Sequence, residues 1–310
     1  MSGFSPGWLA LREPADAQAR ALDLLERVRA DLAGVERIVI SDLGCGTGSM
    51  GRWLSARLPG PQHWILYDHD DGLLAHAAAT VAGVTGDGRA VTVETRRHDV
   101  TRLAAGDLTG STLITASALL DLLTLEEVND LAAACAGAGC PALLTLSVVG
   151  RVEFGPAEPF DAEVAAAFNA HQRRSTEGRR LLGPDAVDAA AEAFTRLGAT
   201  VRISPSPWRL GPDTRLDHQP GTPSATAEQS PPSRADTDKN GTSRANGRQY
   251  DSEGGDLIAA WLVGWVGAAC EQRPEIAAEG AAYLRRRLAA TVAGELRVTV
   301  HHSDLYAKFK

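Results

Sequence analysis

Residues 38–48 read Ile38-Val39-Ile40-Ser41-Asp42-Leu43-Gly44-Cys45-Gly46-Thr47-Gly48. A β-branched run meets three glycines in alternate positions, and a helical pattern around 50–58 follows. The order is strand, tight turn, helix. Glycines in such a turn let the backbone bend sharply and come close to a ligand. Asp68, at the end of the next apolar run, is a carboxylate placed where two ribose hydroxyls of a nucleoside could be accepted.

Outward from this turn, strands and helices alternate. A helix is expected over 14–32, with Ala17, Ala21, Leu24, Leu25, Val28 and Leu32 on one face and Gly34 as its stop. Strands are expected at 37–42, 64–68, 91–96, 112–116, 142–149 and 200–204. Helices fall between them at 50–58, 72–81, 126–136, 160–174 and 184–197. This rhythm predicts an α/β fold, a doubly wound and mostly parallel seven-stranded sheet with helices on both faces.

Residues 212–254 break the composition. Leu216 and Tyr250 are their only large apolar residues, so the segment reads as a disordered loop. Beyond it, Ile258, Trp261, Leu262, Trp265 and Val266 repeat at helical spacing, with Asp256 as a candidate cap. A second helix starts near Pro274 and carries Ile276, Tyr283, Leu284 and Leu288. A last strand, 296–301, would join the sheet at the end.

The chain has 310 residues and a net charge of −8, which argues against a protein that coats nucleic acid by bulk charge. The apolar run 257–269 is too short to span a bilayer, and the first residues lack the pattern of a secretory signal. Cys45, Cys135, Cys140 and Cys270 form no zinc spacing. A cytoplasmic location with reduced thiols is expected, with no membrane and no nucleic-acid partner.

Over residues 36–150 the sequence resembles the class I S-adenosylmethionine-dependent methyltransferases. Asp42, Gly44, Gly46 and Gly48 match that family's (D/E)xGxGxG motif position by position. The resemblance implies a Rossmann-like methyltransferase fold in one domain and S-adenosylmethionine as cofactor. It implies that the turn, with Cys45, passes beside the methionyl part of the cofactor. Asp68, followed by His69, would bind the ribose. Asp99 would lie beside the adenine amino group, with Val100 offering its amide, and Ser117 would sit on the floor of the methyl-donor site. Gly46-Thr47-Gly48-Ser49-Met50-Gly51 also satisfies GxGxxG, so a nicotinamide- or flavin-dependent oxidoreductase is an open alternative. A non-catalytic methyltransferase-like subunit is another.

The expected acceptor is a small molecule. After the fourth strand stands Ala116-Ser117-Ala118-Leu119, not the Asn/Asp-Pro-Pro-aromatic motif of enzymes that methylate adenine or glutamine amino groups. Residues 151–183 would form a substrate cover, in which His171 is the candidate general base and Arg173, Arg174, Arg179 and Arg180 are candidate anion ligands. Residues 1–34 would be a helical cover over the cofactor. There Arg12 or Arg20 is a candidate for the methionyl carboxylate, against a solvated helix face as the plainer reading. Residues 255–293 would add a helical pair. Trp261 and Trp265 fit core packing better than a substrate pocket, His301 and His302 lack a third metal ligand, and the facing of Asp121 is open.

Overall fold

The computed structural model describes residues 5–309 apart from 86, 177, 213, 215 and 217–251. Two helices come first, α1 (Pro6–Ala19) and α2 (Leu22–Asp31). They are followed by β1 (Ile38–Leu43), α3 (Ser49–Ser55), β2 (Gln62–Asp68), α4 (Asp71–Val81), β3 (Gly83–Val84) and β4 (Ala90–Arg97). Then come β5 (Leu113–Ser117), α5 (Leu125–Ala138), β6 (Ala142–Gly155) and α6 (Asp161–Gln172). A hairpin of β7 (Ser175–Thr176) and β8 (Arg179–Arg180) leads to α7 (Ala186–Arg196), β9 (Thr200–Pro205) and β10 (Trp208–Leu210). Helices α8 (Ser252–Gln272) and α9 (Ala277–Val292) precede the final strand β11 (Arg297–Lys308).

The sheet runs β3-β4-β2-β1-β5-β6-β11-β10, with β9 also paired to β11. Strands β4, β2, β1, β5 and β6 are parallel, and β11 is antiparallel to β6. The seven principal strands are those expected; two short ones, β3 and β10, add to them. Both halves of β11 are used on one side, by β10 at Val298–Val300 and by β9 at Ser303–Lys308. The last strand is therefore longer than the expected 296–301 and lies inside the sheet rather than at its edge.

Both sheet faces are covered, which is why β1 and β2 are buried almost throughout. Ile38, Ile40, Trp64 and Leu66 pack with α2, α3 and α4, whereas Leu43, Ile65, Tyr67 and Ile114 pack with α5 and α7. Each large apolar side chain so buried contributes about 1.5–3 kcal/mol. A third cluster joins α1, α6, α8, β10 and the first half of β11 through Phe160, Trp208, Leu257, Trp265 and Val298.

Four expectations change. The helix expected over 14–32 begins at Pro6 and is broken at Arg20–Ala21. The break has a partner: the Ala21 amide donates to Asp304 Oδ2 at 2.8 Å. The other oxygen of that carboxylate accepts from the Leu146 amide at 2.8 Å, where Leu146 takes a φ of 57° inside β6. Strand β6 runs on to Gly155, so the cover region 151–183 starts as sheet. Of the loop expected at 212–254, Leu216 is buried in the third core cluster and 252–254 belong to α8, so Asp256 lies within that helix instead of capping it. The rest of that loop falls outside the described residues, apart from 212 and 214.

Candidate functional site

The strand order reverses between β2 and β5, on the two sides of β1. In open α/β sheets the crevice for a ligand opens at the carboxyl ends of the strands flanking such a point. Here those ends carry the glycine turn and the Ser117–Leu119 segment. Gly44, Gly46 and Gly48 take φ values of 63°, 55° and 87°, a region costly to residues with a Cβ. A Cβ on Gly48 would meet Val81 Cγ2 at 2.8 Å and Ala77 Cβ at 3.1 Å, so this glycine also lets α3 approach α4. Over Gly46 lies Leu9 of α1, and over Gly44 lies Leu119.

Asp68 is buried and holds this turn in shape. Its Oδ2 accepts from the Gly46 amide at 2.9 Å, and its Oδ1 accepts from the Asp70 amide at 3.1 Å. His69 is largely exposed, with Nδ1 3.3 Å from Asp68 Oδ1. Asp99 is exposed and caps the short turn Val100–Arg102, accepting from the Thr101 amide and hydroxyl at 3.1 and 2.8 Å. Val100 is half-buried against the core. Burial pushes the Cys45 thiol far up, so it is no thiolate nucleophile.

Beneath the turn sits a buried charge constellation. Arg20 is 2% exposed, and its Nη2 donates to Ser49 Oγ at 3.1 Å and Ser117 Oγ at 3.3 Å. Its Nε and Nη1 have no hydrogen-bond partner among the described residues. Desolvation lowers its pKa. Asp42 accepts from Thr115 Oγ1 at 2.7 Å through Oδ1, while its buried Oδ2 has no partner. Burial pushes Asp42 up to about 7, opposed by Thr115 and by the Arg20 charge. The expected solvated helix face is thus corrected: Glu13, Asp16 and Arg20 are buried, and Arg12 pairs with Asp16 at 2.9 Å.

Beyond the end of β5 lies a cavity of about 450 Å³, walled by β6, β11, α1, α6 and α8. Ala118, with a φ of 52°, and Asp121 stand at one side; Trp8, Phe168, Trp208, Trp261 and Trp265 supply aromatic surface. Trp261 and Trp265 stack with centroids 5.1 Å apart and planes 18° from parallel. Core packing was the expectation for both. Trp265 does belong to the core, yet both also line this cavity, because α8 lays one stripe across core and opening.

His171 lines the cavity. Burial and the nearby Arg174 lower its pKa, which keeps the imidazole neutral near pH 7. Burial pushes His302 down to about 3, and Asp121 is pushed up to about 6 by desolvation. Arg174 lines the cavity, but Arg173 pairs with Asp185 at 2.6 Å and Arg179 with Glu127 at 2.7 Å. Those two arginines hold the cover together instead of facing a ligand. No group of His, Cys, Asp or Glu suited to a metal ion occurs among the described residues. No helix among them is long and apolar enough to cross a membrane.

Sequence reasoning missed Trp208 as a cavity wall and the burial of Arg20. Along α1 to its C-terminal cap the spacing Glu13 to Arg20 places both charges on one face, and the break at Arg20–Ala21 stops that face from continuing into Leu24 and Val28.

No protein-family profile matches the chain, and no curated protein does. Among solved structures the chain is similar to a cyclopropane synthase from Mycobacterium tuberculosis, at 12% identity and a TM-score of 0.45, over 93% of this chain and 84% of that one. It is similar to an S-adenosylmethionine-dependent methyltransferase from Geobacter sulfurreducens in complex with S-adenosylhomocysteine, at 12% identity and a TM-score of 0.44, over 100% of both chains. A third is a geranyl diphosphate methyltransferase in complex with S-adenosylmethionine, at 10% identity and a TM-score of 0.40, over 93% of this chain and 85% of that one.

Proposed function

We propose that the chain transfers a methyl group from S-adenosylmethionine to a small-molecule acceptor held in the cavity. The observation that carries this reading is Arg20, a buried guanidinium beside the glycine turn with two nitrogens unpartnered. A buried cation left so is costly unless a ligand completes it. An amino-acid carboxylate fits, being planar and able to accept two parallel bonds. The residues present therefore suit the cofactor.

In this reading Arg20 holds the methionyl carboxylate, and Gly44, Cys45, Gly46 and Gly48 give the close backbone approach. Asp42 supports the turn from below. Asp68 has lone pairs to spare after its two amide contacts and accepts the ribose hydroxyls, with His69 at the rim. Asp99 and Val100 lie toward the base, and Ser117 fixes Arg20. His171, from α6, faces the acceptor across the cavity. When bound, the cofactor supplies an electrophilic methyl on a sulfonium; the chain supplies alignment and a site closed to water.

Calorimetry with S-adenosylhomocysteine and with 5′-methylthioadenosine, which lacks the amino-acid carboxylate, tests the reading. Wild-type protein binds both, and Arg20→Met weakens the first by about 10–100-fold while leaving the second unchanged. Equal loss for both ligands removes Arg20 from the role. Binding of NADH instead of either ligand supports the oxidoreductase alternative.

A further inference from the structure

We propose that the acceptor is an aromatic hydroxyl compound whose ring lies against Trp261 and whose hydroxyl proton passes to Asp121. This deepens the methyl-transfer reading and rests on it. The cavity is the ground for the substrate class. Its aromatic walls come from α1, α6, β10 and α8, and Trp261 and Trp265 offer stacked indoles. Planar rings stack on such faces at low conformational cost.

Its polar groups narrow the class further. Arg12 and Arg174 line the same space, which disfavours an acceptor that is already a cation. His302 Nδ1 and Trp265 Nε1 are buried there without a hydrogen-bond partner among the described residues, in side chains 5% and 2% exposed. A neutral ring bearing oxygen substituents suits such a wall.

A phenol reaches the site protonated, so its oxygen gains nucleophilicity only if a base is near. Asp121 stands four residues beyond Ser117 and three beyond the left-handed Ala118, lines the cavity, and follows Leu119, which lies over Gly44 of the turn. Its carboxyl takes a hydrogen bond from its own backbone amide and lines the cavity, so an oxygen lone pair can meet the acceptor. Desolvation holds it at about 6, within reach of a useful base, and Arg12 is the charge that opposes this. His171 and Arg174 on α6 and His301 and His302 on β11 face the same cavity. In the step, the hydroxyl oxygen forms the O–C bond with the methyl group. The S–C bond breaks with its electron pair left on sulfur, giving a thioether, and the hydroxyl proton goes to the Asp121 carboxylate.

The experiment uses the full chain and a ring-size series: 4-ethylphenol, 2-naphthol and 7-hydroxyflavone. Binding is read by calorimetry and tryptophan fluorescence, with and without saturating S-adenosylhomocysteine, and transfer by labelled methyl incorporation. At least one phenol is expected to bind and quench fluorescence, with Trp261→Leu weakening it about tenfold or more. Asp121→Asn should leave that binding within a few-fold and lower transfer roughly 100-fold or more. The wild-type rate should rise through pH 6, a rise the variant lacks. Failure of S-adenosylhomocysteine to bind overturns the donor reading and is seen separately from the phenol arm. If S-adenosylhomocysteine binds and no phenol does, the aromatic acceptor is overturned. If Asp121→Asn transfers at the wild-type rate while His171→Ala is dead, the proton acceptor is His171 and the assignment of Asp121 falls.

Discussion

Arg52 of α3 and Glu13 of α1 form a two-pronged ion pair sealed from solvent, with side-chain exposures of 3% and 2%. The same guanidinium donates to Thr47 O and to Thr80 Oγ1, each at 2.6 Å. One cation thus ties the N-terminal cover, the glycine turn and α4 together. The Thr47 end of the turn and the position of α1 are fixed to one desolvated cluster, while Asp68 holds the turn at Gly46.

Removing one partner from such a pair strands a buried charge. Glu13→Leu should cost about 3–5 kcal/mol, read by urea denaturation. Glu13→Leu with Arg52→Met should recover much of that loss, since a well-packed apolar pair of similar volume can replace a buried ion pair. A single variant as stable as wild type would show that the pair does not hold α1 in place.

Asp42 makes stability depend on pH in an unusual direction. Its carboxyl is lifted from 3.8 to about 7 by burial. Between those values the unfolded chain has lost this proton while the folded chain keeps it, so the group's penalty grows as pH rises and is complete above about 7. At about 1.4 kcal/mol per unit the full effect is on the order of 4 kcal/mol. Asp42→Asn keeps an acceptor for Thr115 and removes the penalty. The variant should therefore match wild type near pH 4 and exceed it in stability near pH 8, measured by denaturation without ligand. An equal difference at both pH values would show that Asp42 ionises freely in the folded protein.

The turn motif and the strand rhythm were legible because they are local. A β-branched run, alternate glycines and a helical stripe need no distant partner to be recognised. The joint at Arg20–Ala21 was not, since it depends on Asp304, far away in sequence, taking the Ala21 amide. The same holds for the cavity. Trp8, Trp208 and Trp261 come from three separated segments, and spacing on one helix cannot tell a core face from a cavity wall. Asp121 was visible as a strand-end acid, but its desolvation comes from distant segments, since β6, α7 and residues 183–185 pack on the turn that carries it.

Gly48 is expected to tolerate no side chain. A residue with a Cβ at φ 87° pays about 1–2 kcal/mol in backbone strain, and the Val81 methyl stands 2.8 Å from the added carbon. Overpacking adds roughly 1–3 kcal/mol. Gly48→Ala should lower stability by the sum, and adding Val81→Ala should recover only the packing part. Full recovery in the double variant would mean that the backbone there is not strained. No loss in the single variant would mean that α3 and α4 can separate freely.

Asp68 combines a structural and a binding duty, and one substitution separates them. Its two oxygens accept from the Gly46 and Asp70 amides, so Asp68→Ala would loosen the turn as well as remove a ligand. Asp68→Asn keeps an acceptor for one amide and discards the charge that strengthens bonds to ribose hydroxyls. Calorimetry with S-adenosylhomocysteine should show a loss of about 1.5–3 kcal/mol, roughly 10–100-fold. Asp99→Asn should lose less, because that carboxyl is exposed and its Oδ1 is already occupied by Thr101. Unchanged affinity in Asp68→Asn, with the melting transition intact, would remove Asp68 from the binding site and leave it as the clamp of the glycine turn.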